Sequence, residues 1–348
     1  MPIRTGRRDL IAAGLHATLL TAAAVTAPFP ARAQRGGSIT SAIYPGSWDE
    51  AFREHVAPAL QHAHGIEPEM QPLFAVDQIA KAAAARGIPP FDCFVLDPGP
   101  RATGVERDLY ERFDASRLTN RANLPAQLVD EWGVGCAAQV VGIAYNPKKV
   151  PKPGGYADLF KEPWVSRLGI TGFQTTFGTV SLIEIAKVFG GSETDIEPAL
   201  SELKKVLPKI AAVGAPAAMP GLFQQGQCDV MYTNTQTVTT LRDRGVDIAF
   251  AAPETGASAF FTTLHIAKGS ENIENAYRYI DTVVSREVQS ALAQKPYNFV
   301  PVNKQVALGP DLPMRNLDEM ARFNTHDWSK INPLRGEWIQ RFNREMAK

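Results

Sequence analysis

Cysteine is scarce in this sequence: 348 residues hold three, Cys93, Cys136 and Cys228. They lie far apart, with no Cys-x-x-Cys or zinc spacing, which leaves out a disulfide-stapled scaffold and a structural zinc module. Two of them could bridge in an oxidising compartment, but each sits in an apolar, strand-like run, so buried free thiols are the expectation. Net charge is lacking as well, with 36 Lys and Arg against 36 Asp and Glu. Four of the arginines and one of the aspartates fall in residues 1–33, so the remaining 315 residues carry a formal charge of −3. Such a surface has no general attraction for nucleic acid or anionic lipid, and no nucleic-acid partner is expected. No apolar run is long and continuous enough to span a bilayer. No Gly-x-Ser-x-Gly or His-Glu-x-x-His pattern occurs, so no familiar hydrolase signature is present. His55, His62 and His64 cluster on one helix and its end, without carboxylate or cysteine partners at helical spacing. They read as solvated surface, and no metal or other cofactor is expected.

What is present begins with an address. Arg7-Arg8 precede a mostly apolar run to Ala27, and Ala31-Arg32-Ala33 is a small-x-small cleavage pattern. A basic start, an apolar middle and a cleavage site make residues 1–33 a twin-arginine-like export signal. The expected product starts at Gln34 and resides in the periplasm.

Beyond residue 34 the pattern alternates between strand and helix. Residues 39–44 read as a strand, and Ser47-Trp48-Asp49-Glu50 as a capping box opening a helix with Trp48, Phe52, Val56 and Leu60 on one face. An alanine-rich helix over 76–86 ends at Gly87, and residues 91–96 form a buried strand ending at Asp97. A long apolar strand runs over 136–145. Residues 167–191 combine a short strand, a turn of Gly and Thr residues including Thr175 and Thr176, and a helix over 180–189. Such a turn directs backbone N–H groups and a positive helix end at whatever lies above the strand tip. Further strands are expected over 229–232, 248–251 and 260–266, and an amphipathic helix over 333–346. Alternation of this kind predicts a parallel sheet covered on both faces, with ligands beyond the carboxyl ends of its strands.

Several segments resemble the periplasmic solute-binding proteins of ATP-driven (ABC) importers, in the branch of spermidine/putrescine- and ferric-iron-binding proteins. They are Asp92-Cys93-Phe94-Val95-Leu96-Asp97, Gly142-Ile143-Ala144-Tyr145-Asn146-Pro147, residues 222–230, and residues 263–269 with the helix pair that follows. Each is weak alone, but their order over about 300 residues is specific. The resemblance implies an α/β, two-lobed type II periplasmic binding fold whose hinge is two crossover strands, near 140–144 and 260–263. Lobe one is expected over 34–141 plus 262–308, and lobe two over 142–261 plus 309–348.

The same resemblance implies that a small solute is captured by hinge closure and passed by a monomer to membrane permease subunits. Residue by residue, it points to Tyr44, Trp48, Asp97, Thr175, Thr176, Tyr232, Thr233, Asn234, Phe260, Thr262 and Tyr297 as ligand contacts. Of the adjacent Phe260 and Phe261, a strand can turn only one to the cleft. The polyamine pattern is incomplete, because Thr262 stands where those relatives carry a key aspartate and no Tyr-Tyr pair for iron exists. An ammonium buried without a carboxylate partner is disfavoured, so a neutral or anionic organic solute is expected. A polyamine remains the alternative ligand. The alternatives of another class are a thiaminase-like cysteine enzyme on this fold and a periplasmic sensor subunit.

Overall fold

The computed structural model describes residues 37–346, so the expected export signal lies outside the described residues. Ten strands form one sheet: β1 (Ile39–Ile43), β2 (Pro68–Pro72), β3 (Cys93–Leu96), β4 (Val129–Asp130), β5 (Gly133–Tyr145), β6 (Leu168–Ile170), β7 (Ala212–Val213), β8 (Val230–Asn234), β9 (Ala249–Ala251) and β10 (Ser258–Ile266). The order is β2-β1-β3-β10-β5-β8-β6-β7, with β4 and β9 also paired to β5. β2, β1 and β3 are parallel, as are β8, β6 and β7. The two parallel sets are joined by antiparallel β10 and β5.

Those two strands connect the halves. β5 reads GVGCAAQVVGIAY, and its first twelve residues are buried, as expected for a small-residue, apolar strand with neighbours on both edges. Its residues 134–141 pair with β10, and its residues 141–145 with β8. Gly142 lets β9 approach: a Cβ there would stand 2.7 Å from the Phe250 ring and 2.9 Å from the Ala251 carbonyl. β10 has an irregular register between Thr262 and Thr263, and its later residues pair with β3. A bulge of this kind bends a strand, here where β10 passes from one set to the other. The expected crossings near 140–144 and 260–263 fall on these strands.

Each half has its own core. The first gathers Ile39, Phe52, Leu60, Val95, Tyr279 and Ile280 among others, and the second Ile170, Leu182, Ile183, Tyr232, Trp338 and Phe342. Met314, Leu317 and Met320 pack in the first core, although the sequence reading placed 309–348 in the second lobe. Packing changes sides only with Trp328 and Ile331, which join the second.

Helix starts differ from expectation at three places. The Ser47 capping box does not form: Gly46, at φ 80°, is the N-cap without a side-chain bond, and Asp49 instead accepts from Arg53 Nε at 2.9 Å. The helix still buries Trp48, Phe52, Val56 and Leu60 at every fourth position, through a π turn over Phe52–Val56. The second-half helix runs Thr176–Val188, four residues earlier than expected, because Thr175 Oγ1 accepts from Gly178 N at 3.2 Å and caps it. The last helix runs Trp328–Glu345 rather than from 333, capped by Asp327 accepting from Ser329 N at 3.1 Å. Pro333 lies inside it and lacks the N–H for one intrahelical bond. Among the described residues no helix is long and apolar enough to cross a membrane.

Candidate functional site

A cavity of about 630 Å³ opens where both parallel sets present their carboxyl ends. Its walls come from the turn after β1, the tip of β3, the start of helix Thr176–Val188, the end of β8 and the last helix. The position is the one the strand topology favours for a ligand, and the size is that of a small-molecule pocket.

From the first half come Tyr44, Trp48 and Asp97. Trp48 also belongs to the core, with its ring centroid 4.4 Å from Phe299 and 5.4 Å from Tyr44. Asp97 follows β3 directly and precedes helix Pro98–Glu106, yet its carboxylate does not cap that helix. It accepts from Thr262 Oγ1 at 2.9 Å, while its backbone N–H donates to the Tyr44 hydroxyl at 2.8 Å. Burial raises the Asp97 carboxyl above its usual range. Hydrogen bonds from Thr262, Thr176 and Tyr44, and the charge of Arg335, act against that rise. Burial, then the Asp97 charge, pushes the Tyr44 phenol well up.

From the second half come Gln174, Thr175, Thr176 and Phe177, at the start of a 13-residue helix. Beside them is Arg335, 8% exposed, from helix Trp328–Glu345. Its Nε donates to the Phe173 carbonyl at 2.9 Å and one terminal nitrogen to the Gln174 carbonyl at 3.0 Å. These two bonds fix the plane of the guanidinium against the turn that opens the Thr176 helix. Burial lowers its pKa to about 10, with Asp97 and Tyr44 pulling the other way. Asn234 completes this side: its Nδ2 donates to Gln139 Oε1 at 2.9 Å, and its Oδ1 caps helix Thr235–Asp243.

Seven of the sequence-predicted residues line the cavity together: Tyr44, Trp48, Asp97, Thr175, Thr176, Asn234 and Phe260. Four do not. Tyr232 lies one strand step below Asn234, where its hydroxyl accepts from Thr171 N at 2.9 Å and donates to Thr171 O. Thr233, between them, points to the other face of the sheet. Thr262 is fully buried behind Asp97, holding its carboxylate instead of facing the cavity. Tyr297 is buried, and its hydroxyl donates to Glu54 Oε2 at 2.6 Å. Phe260 lines the cavity while Phe261 packs against the first core, as strand alternation requires.

Sequence reasoning missed Arg335, Gln139, Gln236, Phe177 and the pair Phe74 and Val76. The last two are each 60% exposed on the cavity wall. Nothing in the sequence marks these residues, and the exposure of Phe74 and Val76 beside the pocket becomes visible only in the fold. The three thiols are free and buried, and burial raises each of them, Cys228 to about 12. No cluster of three or more potential metal ligands occurs among the described residues.

This geometry has clear relatives. The family described as bacterial extracellular solute-binding protein matches residues 56–317. The spermidine/putrescine-binding periplasmic protein of Escherichia coli K12 is 26% identical over 203 residues, covering 53% of this chain and 56% of that protein. The chain thus matches little more than half the length of that curated relative. An ABC transporter structure from Clostridium perfringens superposes with a TM-score of 0.72 at 22% identity, covering 89% of this chain and 100% of that one. A structure described as a GABA receptor gives 0.74 at 19% identity, covering 90% and 98%. The fold is the type II periplasmic binding fold, and the chain belongs to the bacterial extracellular solute-binding protein family.

Proposed function

We infer that this protein is the solute-capture component of an ABC importer, working in the periplasm as a monomer that delivers its ligand to membrane permease subunits. The observation that carries this reading is a cavity of about 630 Å³ lined by Asp97 from one half and Thr175–Thr176 from the other. Two separately packed halves joined by β5 and β10 can close on a solute that touches both, and the ligand then favours the closed arrangement. The ligand contacts are Tyr44, Trp48, Asp97, Thr175, Thr176, Asn234 and Phe260. Residues 1–33 serve as the export signal. Catalysis is no part of this reading, and the thiaminase-like alternative is disfavoured because all three thiols are buried with raised pKa values, the reverse of an activated nucleophile.

The solute is a small polar organic molecule, neutral or anionic overall. A polyamine is the second reading, favoured by the relative that binds spermidine and putrescine and by Asp97. Against it stands Arg335, a buried cation on the same cavity wall, which would repel a polycation in a poorly solvated site. Native mass spectrometry of freshly purified protein, followed by thermal shift against a metabolite panel, tests the reading. A ligand at about 100 times its Kd adds ~2.7 kcal/mol of stability. A protein that retains no solute, and that no metabolite stabilises, would overturn it.

A further inference from the structure

Two opposite charges line this cavity without meeting. Asp97 and Arg335 attract one another, but neither takes part in an ion pair within 4.0 Å among the described residues. Asp97 is bonded by hydroxyls, which carry no positive charge, and Arg335 by two backbone carbonyls, which carry no full negative charge. A buried charge satisfied only by neutral dipoles is costly compared with one that meets a counter-charge. Arg335 keeps a fixed plane, 5.9 Å from the Trp328 ring centroid, while its other terminal nitrogen donates no hydrogen bond among the described residues, and a guanidinium so held suits a carboxylate. The helix that starts at Thr176 adds a positive end on the same side. Around these polar groups the walls are apolar and aromatic: Trp48, Phe74, Val76, Phe177 and Phe260.

Resting on the capture reading above, we propose that the solute is a zwitterion, with its ammonium on Asp97, its carboxylate on Arg335 and its carbon chain against the aromatic walls. Such a molecule gives each buried charge a partner and leaves the filled cavity neutral. A diamine would satisfy Asp97 and face Arg335 with a like charge; a plain carboxylate would satisfy Arg335 and leave Asp97 without a cation.

Isothermal titration with three matched series tests this: α- and ω-amino acids of three to six carbons, the monocarboxylates of the same lengths, and the α,ω-diamines. The best amino acid is expected to bind at least ~10-fold tighter than the monocarboxylate and the diamine of its length, the step a hydrogen bond to a charged group provides. Asp97→Asn should remove its advantage over the monocarboxylate, and Arg335→Gln its advantage over the diamine. If Arg335→Gln does not fold, the Asp97→Asn comparison and the wild-type series decide alone. A monocarboxylate or diamine that binds as tightly as the amino acid overturns the proposal, and so does failure of every amino acid in the panel. A co-purified solute that is not a zwitterion overturns this proposal and leaves the capture reading standing; a protein that binds no solute at all removes both.

Discussion

Thr262 Oγ1 donates to Asp97 Oδ1 at 2.9 Å, tying the bulge of β10 to the tip of β3 across 165 residues of chain. Resemblance made Thr262 a position where relatives carry a carboxylate. Here the hydroxyl faces the neighbouring carboxylate instead of the cavity. One acid serves the site, and the threonine sets its orientation.

Removing that hydroxyl is therefore expected to harm Asp97 before it harms anything else. Thr262→Val keeps the shape and deletes the donor, and a buried acceptor deprived of its partner costs about 1–3 kcal/mol. Urea denaturation should show that loss in the unliganded protein. An unchanged midpoint would mean the bond contributes nothing.

Asp97 itself should report through pH. Its folded pKa is raised by burial, so ionisation works against the unliganded fold: the contribution is most favourable below the unfolded value near 3.8 and declines as pH rises through the folded pKa. Relative to wild type, Asp97→Asn is expected to gain in melting temperature as pH is raised from about 3 towards 7. A difference that stays flat across that range would contradict the burial argument.

Glu184 predicts the opposite slope. Its side chain, 3% exposed, accepts from His326 Nε2 at 3.0 Å, Lys187 Nζ at 2.7 Å and Asn324 Nδ2 at 2.9 Å. Burial alone would raise its pKa, but the bonds from His326 and Lys187 hold it below 4.5. Its contribution is present above pH 4.5 and lost as pH falls through the lower folded value. Glu184→Gln should thus destabilise the protein at pH 7 and narrow its gap to wild type in acid, as read by denaturation at pH 3, 5 and 7.

Gly178 is set by its contacts. A Cβ there would collide with the backbone carbonyl of Gly172, in the turn that leads into helix Thr176–Val188. Gly178→Ala should cost about 1–3 kcal/mol, the range for overpacking a site that cannot yield. It should also weaken ligand binding, because the turn carrying Thr175 and Thr176 must shift. Calorimetry of the unliganded and ligand-saturated protein separates the two effects.

The strands were the legible part of this chain. The segments containing β1, β3, β5 and β10 announce themselves as apolar runs between turn signals; the carboxyl ends of β1 and β3 gave Tyr44 and Asp97, and the expected crossing on β10 gave Phe260. The start of helix Thr176–Val188 was hidden, because Thr176, Gly178 and Thr179 have poor helix propensity and only the Thr175 cap reveals them as its first turn. Tyr232 and Thr233 followed from the correct strand, but depth and facing along a strand depend on what packs above it. Arg335 was unreadable for a different reason. An arginine in an amphipathic helix reads as solvent-facing, and only the docking of that helix on the Phe173–Gln174 carbonyls turns it inward.

Arg335 is also later in chain order than every other residue lining the cavity. A ribosome adding residues one at a time finishes both acidic and aromatic walls, and both crossing strands, well before helix Trp328–Glu345 emerges. A chain ending before helix Trp328–Glu345 would keep the carboxylate and aromatic walls of the cavity but lose the guanidinium, so its lining would have a different charge balance.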